Sequence, residues 1–151
     1  MKIIEHALLR LTATSLSIEG AINYDKLSGS IFKKDVDGNI YEIKLTNPGK
    51  RHSWNADFGI NINWRYIASV VRLGDDDTLS NYFKDTLVLV LHEADRQNMG
   101  LCLMPVFSKK TFRPGSKVKS QQDLENFYKR LGFNWTKASS NYMIRLPKKY
   151  R

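Results

Sequence analysis

A single cysteine, Cys102, stands among 151 residues, which excludes an internal disulfide and any cysteine-rich zinc site. Long apolar runs are also missing. The longest, residues 87–91, has five residues, against the roughly 18–20 that a membrane-spanning helix needs. No membrane contact is expected. The N-terminus has no basic region, apolar stretch and small-residue cleavage site in series, so export is not indicated and a cytoplasmic setting is expected. Glycine (9) and proline (4) are too few for a collagenous chain. No repeat, low-complexity segment or linker divides the sequence, and a single domain over 1–151 is expected.

Acid is scarce at one end only. Residues 101–151 hold 12 basic and 2 acidic side chains (Asp123 and Glu125), whereas residues 1–100 hold 12 basic and 13 acidic. The net charge of +9 therefore resides in the last third. Such an asymmetry creates a field that attracts phosphates, on a nucleic acid or on a nucleotide-like cofactor. A solvated basic face kept for solubility is the plainer alternative.

What is present suffices for a core: 42% of residues are hydrophobic and 11% aromatic. The first half reads as β. Residues 7–14 are apolar enough for a strand. Residues 31–34 and 39–45 flank Asp35-Val36-Asp37-Gly38, which is hairpin chemistry because glycine accepts positive φ. Residues 39–45 alternate polar and apolar, as a half-buried strand does. Residues 58–71 are rich in Ile, Val, Trp and Tyr and should supply one or two more strands.

The second half changes period. After Asp75-Asp76-Asp77-Thr78, the residues Leu79, Phe83, Leu87, Val90, Leu91 and Ala94 fall on one helical face, with Gly100 expected as the left-handed stop. Residues 101–107 (LCLMPVF) read as a buried strand. A basic loop, 108–119, leads to Ser120, which caps a second helix with Asp123 three residues on. Leu124, Phe127, Tyr128 and Leu131 form its stripe and Gly132 ends it. Strands are expected near 133–137 and 142–146. The fold class expected is α/β (α+β): a mixed, mainly antiparallel sheet with two principal helices.

Residues 124–133 read LENFYKRLGF, and a strand ending in YMIRLP follows. This pattern resembles the C-terminal half of the GNAT superfamily of N-acetyltransferases, where a strand leads to a helix carrying FY-x-x-x-GF and a closing strand comes after. The similarity spans roughly residues 78–147. It implies an acetyltransferase-like fold and acyl transfer from acyl-coenzyme A to an amine. It also implies that Tyr128 protonates the departing thiolate as general acid. The alternative for Tyr128 is an aromatic helix residue whose hydroxyl meets water. Glu93 and Asp95 stand as general-base candidates with no motif behind them. The Gln/Arg-x-x-Gly-x-Gly/Ala turn that cradles pyrophosphate in that superfamily is absent. Gly74-Asp75-Asp76-Asp77 stands before the long helix instead, and three carboxylates repel a pyrophosphate.

Other constellations read as structure. His92-Glu93 lacks the second histidine of a zinc helix, because position 96 is Arg. Asp75, Asp76 and Asp77 suit helix capping as well as Mg²⁺, and no metal is expected. Cys102 lies in an apolar strand as a small hydrophobe. Lys50, Arg51, His52 and Trp54 form a basic loop with an aromatic that could stack on a base, with Trp64 and Tyr66 extending it, although tryptophans in a β region are more often core. The best anion site is Lys109, Lys110, Arg113, Lys117 and Lys119 beside the capped helix start at Ser120. These residues are the ones expected to hold the phosphates of acyl-coenzyme A.

Two functions follow as expectations. One is a divergent acyltransferase using acyl-coenzyme A. The other is a non-enzymatic basic protein whose residues 101–151 contact nucleic acid or an acidic protein. Its size and basicity would suit a phage or mobile-element accessory or virion protein.

Overall fold

The structure is a computed structural model and describes residues 18–34, 38, 40–48, 52–71, 78–107, 117–137 and 139–151. The expected strand at 7–14 and the Asp75–Asp77 triplet lie outside the described residues. Among the described residues, ten elements and a terminal turn follow one another. They are β1 (Glu19–Asn23), β2 (Ser28–Lys34), β3 (Ile40–Thr46), α1 (His52–Phe58), β4 (Trp64–Val71), α2 (Thr78–Arg96), β5 (Gly100–Leu103), α3 (Gln121–Arg130), β6 (Asn134–Thr136) and β7 (Ser139–Arg145), with a 3-10 turn at Lys148–Tyr150.

All seven strands join one sheet in the order β1-β2-β3-β4-β5-β7-β6. Every pairing is antiparallel except β4 with β5. Those two run parallel because α2 carries the chain back across the sheet between them, as a parallel pair requires. The fold is therefore α+β, a mixed and mainly antiparallel sheet with α2 and α3 as its principal helices. The helix–strand–helix–strand–strand order of the second half is as expected. The short helix α1 is not: residues 52–58, expected as a loop running into a strand, are helical.

Two apolar clusters sandwich the sheet. Phe83, Leu87, Val90, Leu91 and Ala94 of α2, with Leu124, Phe127 and Tyr128 of α3, pack on Tyr41, Ile43, Leu101, Leu103 and Met143. Trp54 of α1 packs on Trp64, Cys102 and Ile144. Strand alternation does this sorting: Leu101 and Leu103 face one cluster while Cys102 between them faces the other. Each fully buried Leu, Val or Phe stabilises the fold by about 1.5–3 kcal/mol. Cys102 is wholly buried, as its small-hydrophobe reading implies.

The aromatic set of the second cluster is tied together by one amide. Asn55 Nδ2 donates to the Ile62 carbonyl at 3.1 Å, and Trp64 Nε1 donates to Asn55 Oδ1 at 3.0 Å. Trp54 and Trp64 lie 4.9 Å apart between ring centroids. Both belong to the core, so neither extends a stacking surface with Lys50, Arg51 and His52.

The end of α2 corrects one expectation. The left-handed residue there is Asn98 (φ 59°), and Gly100 already belongs to β5. Gly100 is needed for a different reason: a Cβ on it would sit 2.5 Å from Cε3 of the Trp64 ring. The substitution G100A should therefore force Trp64 or the β4–β5 pair to move, lowering stability by about 1–3 kcal/mol in urea titrations, the usual range for overpacking a core. An unchanged midpoint would show that the ring does not need this glycine.

Candidate anion-binding groove

Tyr128, the expected general acid, sits in the core. It is 3% exposed. Its ring packs edge-on against Phe127 and Phe133 at centroid distances of 5.3 and 5.8 Å. Burial pushes its phenol well above the ordinary 10. The neighbouring departure from the helix is as the motif suggests. Gly132 takes φ 97°, and Phe133 is fully buried at the start of β6.

Of the expected anion site, Lys109, Lys110 and Arg113 lie outside the described residues. Lys117 and Lys119 are exposed, held by Val118 buried between them. Ser120 caps α3: its Oγ accepts from the Asp123 N–H at 3.1 Å, while Asp123 Oδ2 accepts from the Lys119 N–H at 3.0 Å. The arrangement differs from a capping box in that the Asp123 carboxylate reaches the N–H of Lys119, one residue before the cap, rather than that of Ser120. Ser120 Oγ thus serves the start of the helix.

Lys117 opens onto a cavity of about 380 Å³ between α2 and α3, where it meets Lys84, Asn126 and Arg130, with Asp123 as the acid. A second cavity of about 400 Å³ adjoins it, lined by His92, Asp95, Arg145 and Arg151, and again by Arg130. Arg130 lines both, so the two cavities are neighbours on either side of that side chain, and together they are called the groove. Its α2 wall runs from Lys84 to Asp95, eleven residues, or about 16 Å at the helical rise of 1.5 Å.

Five cations border the groove against two carboxylates; Asp123 is engaged at the start of α3, and Asp95 engages two of the cations, Arg145 and Arg151. Asp95 takes Arg145 end-on, with Oδ1 accepting from Nη1 at 3.0 Å and Oδ2 from Nη2 at 2.9 Å. It also accepts from the Lys148 N–H at 2.9 Å and from Arg151 Nη1 at 3.2 Å. Burial opposes the charge on Asp95, but the bonds and charge of Arg145, with Lys148 and Arg151, outweigh it and hold the carboxyl below its usual 3.8. Burial pulls the Arg145 guanidinium down despite Asp95, yet an arginine remains cationic throughout the working range. Arg145 also donates to the Leu131 carbonyl at 2.9 Å.

Neither general-base candidate is at liberty. Glu93 is paired with Arg96 at 2.7 Å and accepts from Gln97. The hydrogen bond from Arg96 is the main reason its carboxyl lies below the ordinary value, against a smaller effect of burial. Asp95 is held as described. Among the described residues, no group of three or more His, Cys, Asp or Glu side chains could hold a metal ion, and no helix is long and apolar enough to cross a membrane.

Lys84, Asn126, Arg130, Arg145 and Arg151 were missed by motif reasoning. A signal for the helical ones exists in the spacing. Lys84, Val88, Leu91, His92 and Asp95 share a face of α2, and Asp123, Asn126, Phe127 and Arg130 share a face of α3. No spacing reveals that the two faces border one groove. No family model, curated protein or solved structure matches this chain.

Asp95 carries a pH prediction. Its folded-state carboxyl titrates below the unfolded one, so its contribution to stability is present above about pH 4 and is lost as pH falls through the depressed folded value. D95N should cost about 3 kcal/mol at neutral pH, the scale for breaking a largely buried pair. It should also flatten the acid side of the stability profile in urea titrations. An acid limb as steep as that of the unmodified protein would contradict this.

Proposed function

We propose that this protein binds nucleic acid without catalysis, through the groove between α2 and α3. The observation that carries the reading is that two neighbouring cavities with basic linings share Arg130 and follow α2 for about 16 Å. An isolated anion would need one pocket, whereas a track of cations suits a polyanion with charges at regular intervals. The exposed Lys119, Lys129, Lys137, Lys148 and Lys149 extend the same sign of charge over the C-terminal third. The burial of Tyr128 favours binding over acyl transfer, since a general acid has to reach the proton acceptor. A cytoplasmic or virion-associated setting, where nucleic acid is met, belongs to the same proposal.

Fluorescence anisotropy with a labelled single-stranded oligonucleotide tests it. Neutralising four or five phosphates should give a log–log salt slope of about −3, taking about −0.7 per phosphate for single strands. The double variant K84E/R130E should weaken binding at least about tenfold, as two phosphate contacts turn repulsive. A flat salt response, or no binding at about 50 mM salt, would overturn the proposal.

One observation favours a second reading, a coenzyme A-dependent acyltransferase of the GNAT type. The parallel pairing of β4 and β5 ends at Ile67↔Leu103, while β4 runs on to Val71 beside β3 alone. In that superfamily the pantetheine arm enters where two central strands part. Titration calorimetry with acetyl-coenzyme A separates the two. The binding-protein reading expects no heat at high micromolar ligand, and a saturable heat would restore the enzyme.

A further inference from the structure

A second cleft lies at the opposite end of the sheet's chemistry, where the edge strand β6 faces the end of α1. Its volume is about 570 Å³, within the range of small-molecule sites. Phe58 at the end of α1 and Trp135 in β6 line it, and both are exposed, at 41% and 37%. Large aromatics left open on two separate elements around one cavity are not explained by the core, since neither belongs to the buried clusters.

Three details distinguish this cleft from a chance apolar dent. The Trp135 ring is fixed in place, because its Nε1–H donates to Glu125 Oε1 of α3 at 2.8 Å. An exposed indole pinned by a carboxylate is a platform that needs no ordering when a flat ligand arrives. The register between β6 and β7 shifts between Trp135 and Thr136, an irregularity of the kind that re-aims a side chain. Thr136, at that shift, lines the cleft, and its hydroxyl is buried with no partner among the described residues. A buried hydroxyl without a partner carries an unmet demand that a ligand atom can satisfy.

The remaining wall carries charge. Lys137 offers a cation and Asp57 an acceptor. A flat ring between aromatics, hydrogen-bonding atoms on its edge and an anion on its flank together describe a nucleotide. From this juxtaposition we infer that the cleft of Phe58, Trp135, Thr136 and Lys137 holds one unpaired nucleobase of a single-stranded nucleic acid. The ring stacks on Trp135, Thr136 hydrogen-bonds its edge, and Lys137 meets the adjoining phosphate. Asp57 accepts from the exocyclic amino group that adenine and cytosine carry. Base–aromatic stacking of this kind tolerates sequence, because every base has a π-face.

The inference rests on the nucleic-acid reading for its polymer, but the cleft can be tested apart from the groove. Trp54 and Trp64 are buried, so a ligand stacking at this cleft reports through Trp135. Adenosine monophosphate at millimolar concentration should quench the tryptophan emission of the full chain, and W135F should abolish that quench. T136V keeps the side-chain shape and should weaken adenosine monophosphate and a single-stranded octanucleotide about tenfold, near the lower end of stacking-site losses. An octanucleotide lacking bases should still bind through the groove but without quenching. Quenching by the octanucleotide that K84E/R130E leaves unchanged would remove the groove reading and leave the cleft. Absence of quenching, with T136V and W135F binding the octanucleotide as the unmodified chain does, would overturn the cleft and leave the groove.

Discussion

The two-pronged contact between Asp95 and Arg145 holds the candidate site together. It joins the last turn of α2 to the end of β7, and through the Lys148 N–H and Arg151 it also ties down the C-terminal turn. Arg145 is 5% exposed, so the pair is largely withdrawn from water and its geometry is set by many bonds at once. A planar guanidinium meeting a carboxylate in this way fixes orientation as well as distance. Gly132 makes the arrangement possible: its missing side chain leaves room for Arg145, whose Nε would lie 3.2 Å from any Cβ there. The floor of the groove is thus a structural ion pair, and the mobile cations stand along its walls.

The division of labour follows from burial. The three residues first read as acid or base candidates are engaged in packing or pairing. Tyr128 packs among Phe127 and Phe133, Glu93 pairs with Arg96, and Asp95 pairs with Arg145. The cations Lys84, Lys117 and Arg130 project from the surface. Within the groove the contrast is between Arg145 and Arg151, which are tied to Asp95, and Lys84, Lys117 and Arg130, which are exposed. The aromatic cleft at β6 adds a surface for a flat ring, at a point where core packing cannot account for the open tryptophan.

Much of the architecture was readable from period and punctuation. The stripe of α2, the Ser120–Asp123 cap and the hairpin of β2 and β3 follow from side-chain spacing that acts over a few residues. Helix α1 was not readable. His52–Phe58 is short, and its stability comes from Trp54 lodging beside Trp64, a contact across ten residues that no local pattern encodes. Gly100 was misread for a related reason, since its role depends on the Trp64 ring in a neighbouring strand. The motif FYKRLGF correctly located the helix, its exit and the next strand. The spacing also placed Tyr128 on the apolar stripe with Leu124 and Phe127, and its ring does turn inward. Of the five cations around the groove, Lys117 alone was legible in the run of basic residues. The rest comes from helix faces and a C-terminal turn brought together by tertiary packing.

Backbone amide shifts of the isotopically labelled chain, followed while a single-stranded octanucleotide is added, test the groove most directly. Binding through it should move the amides of Lys84, Asn126 and Arg130 together, and leave those of β1 and β2 in place. Shifts confined to the far strands, or none at saturating oligonucleotide, would contradict a nucleic-acid site between α2 and α3.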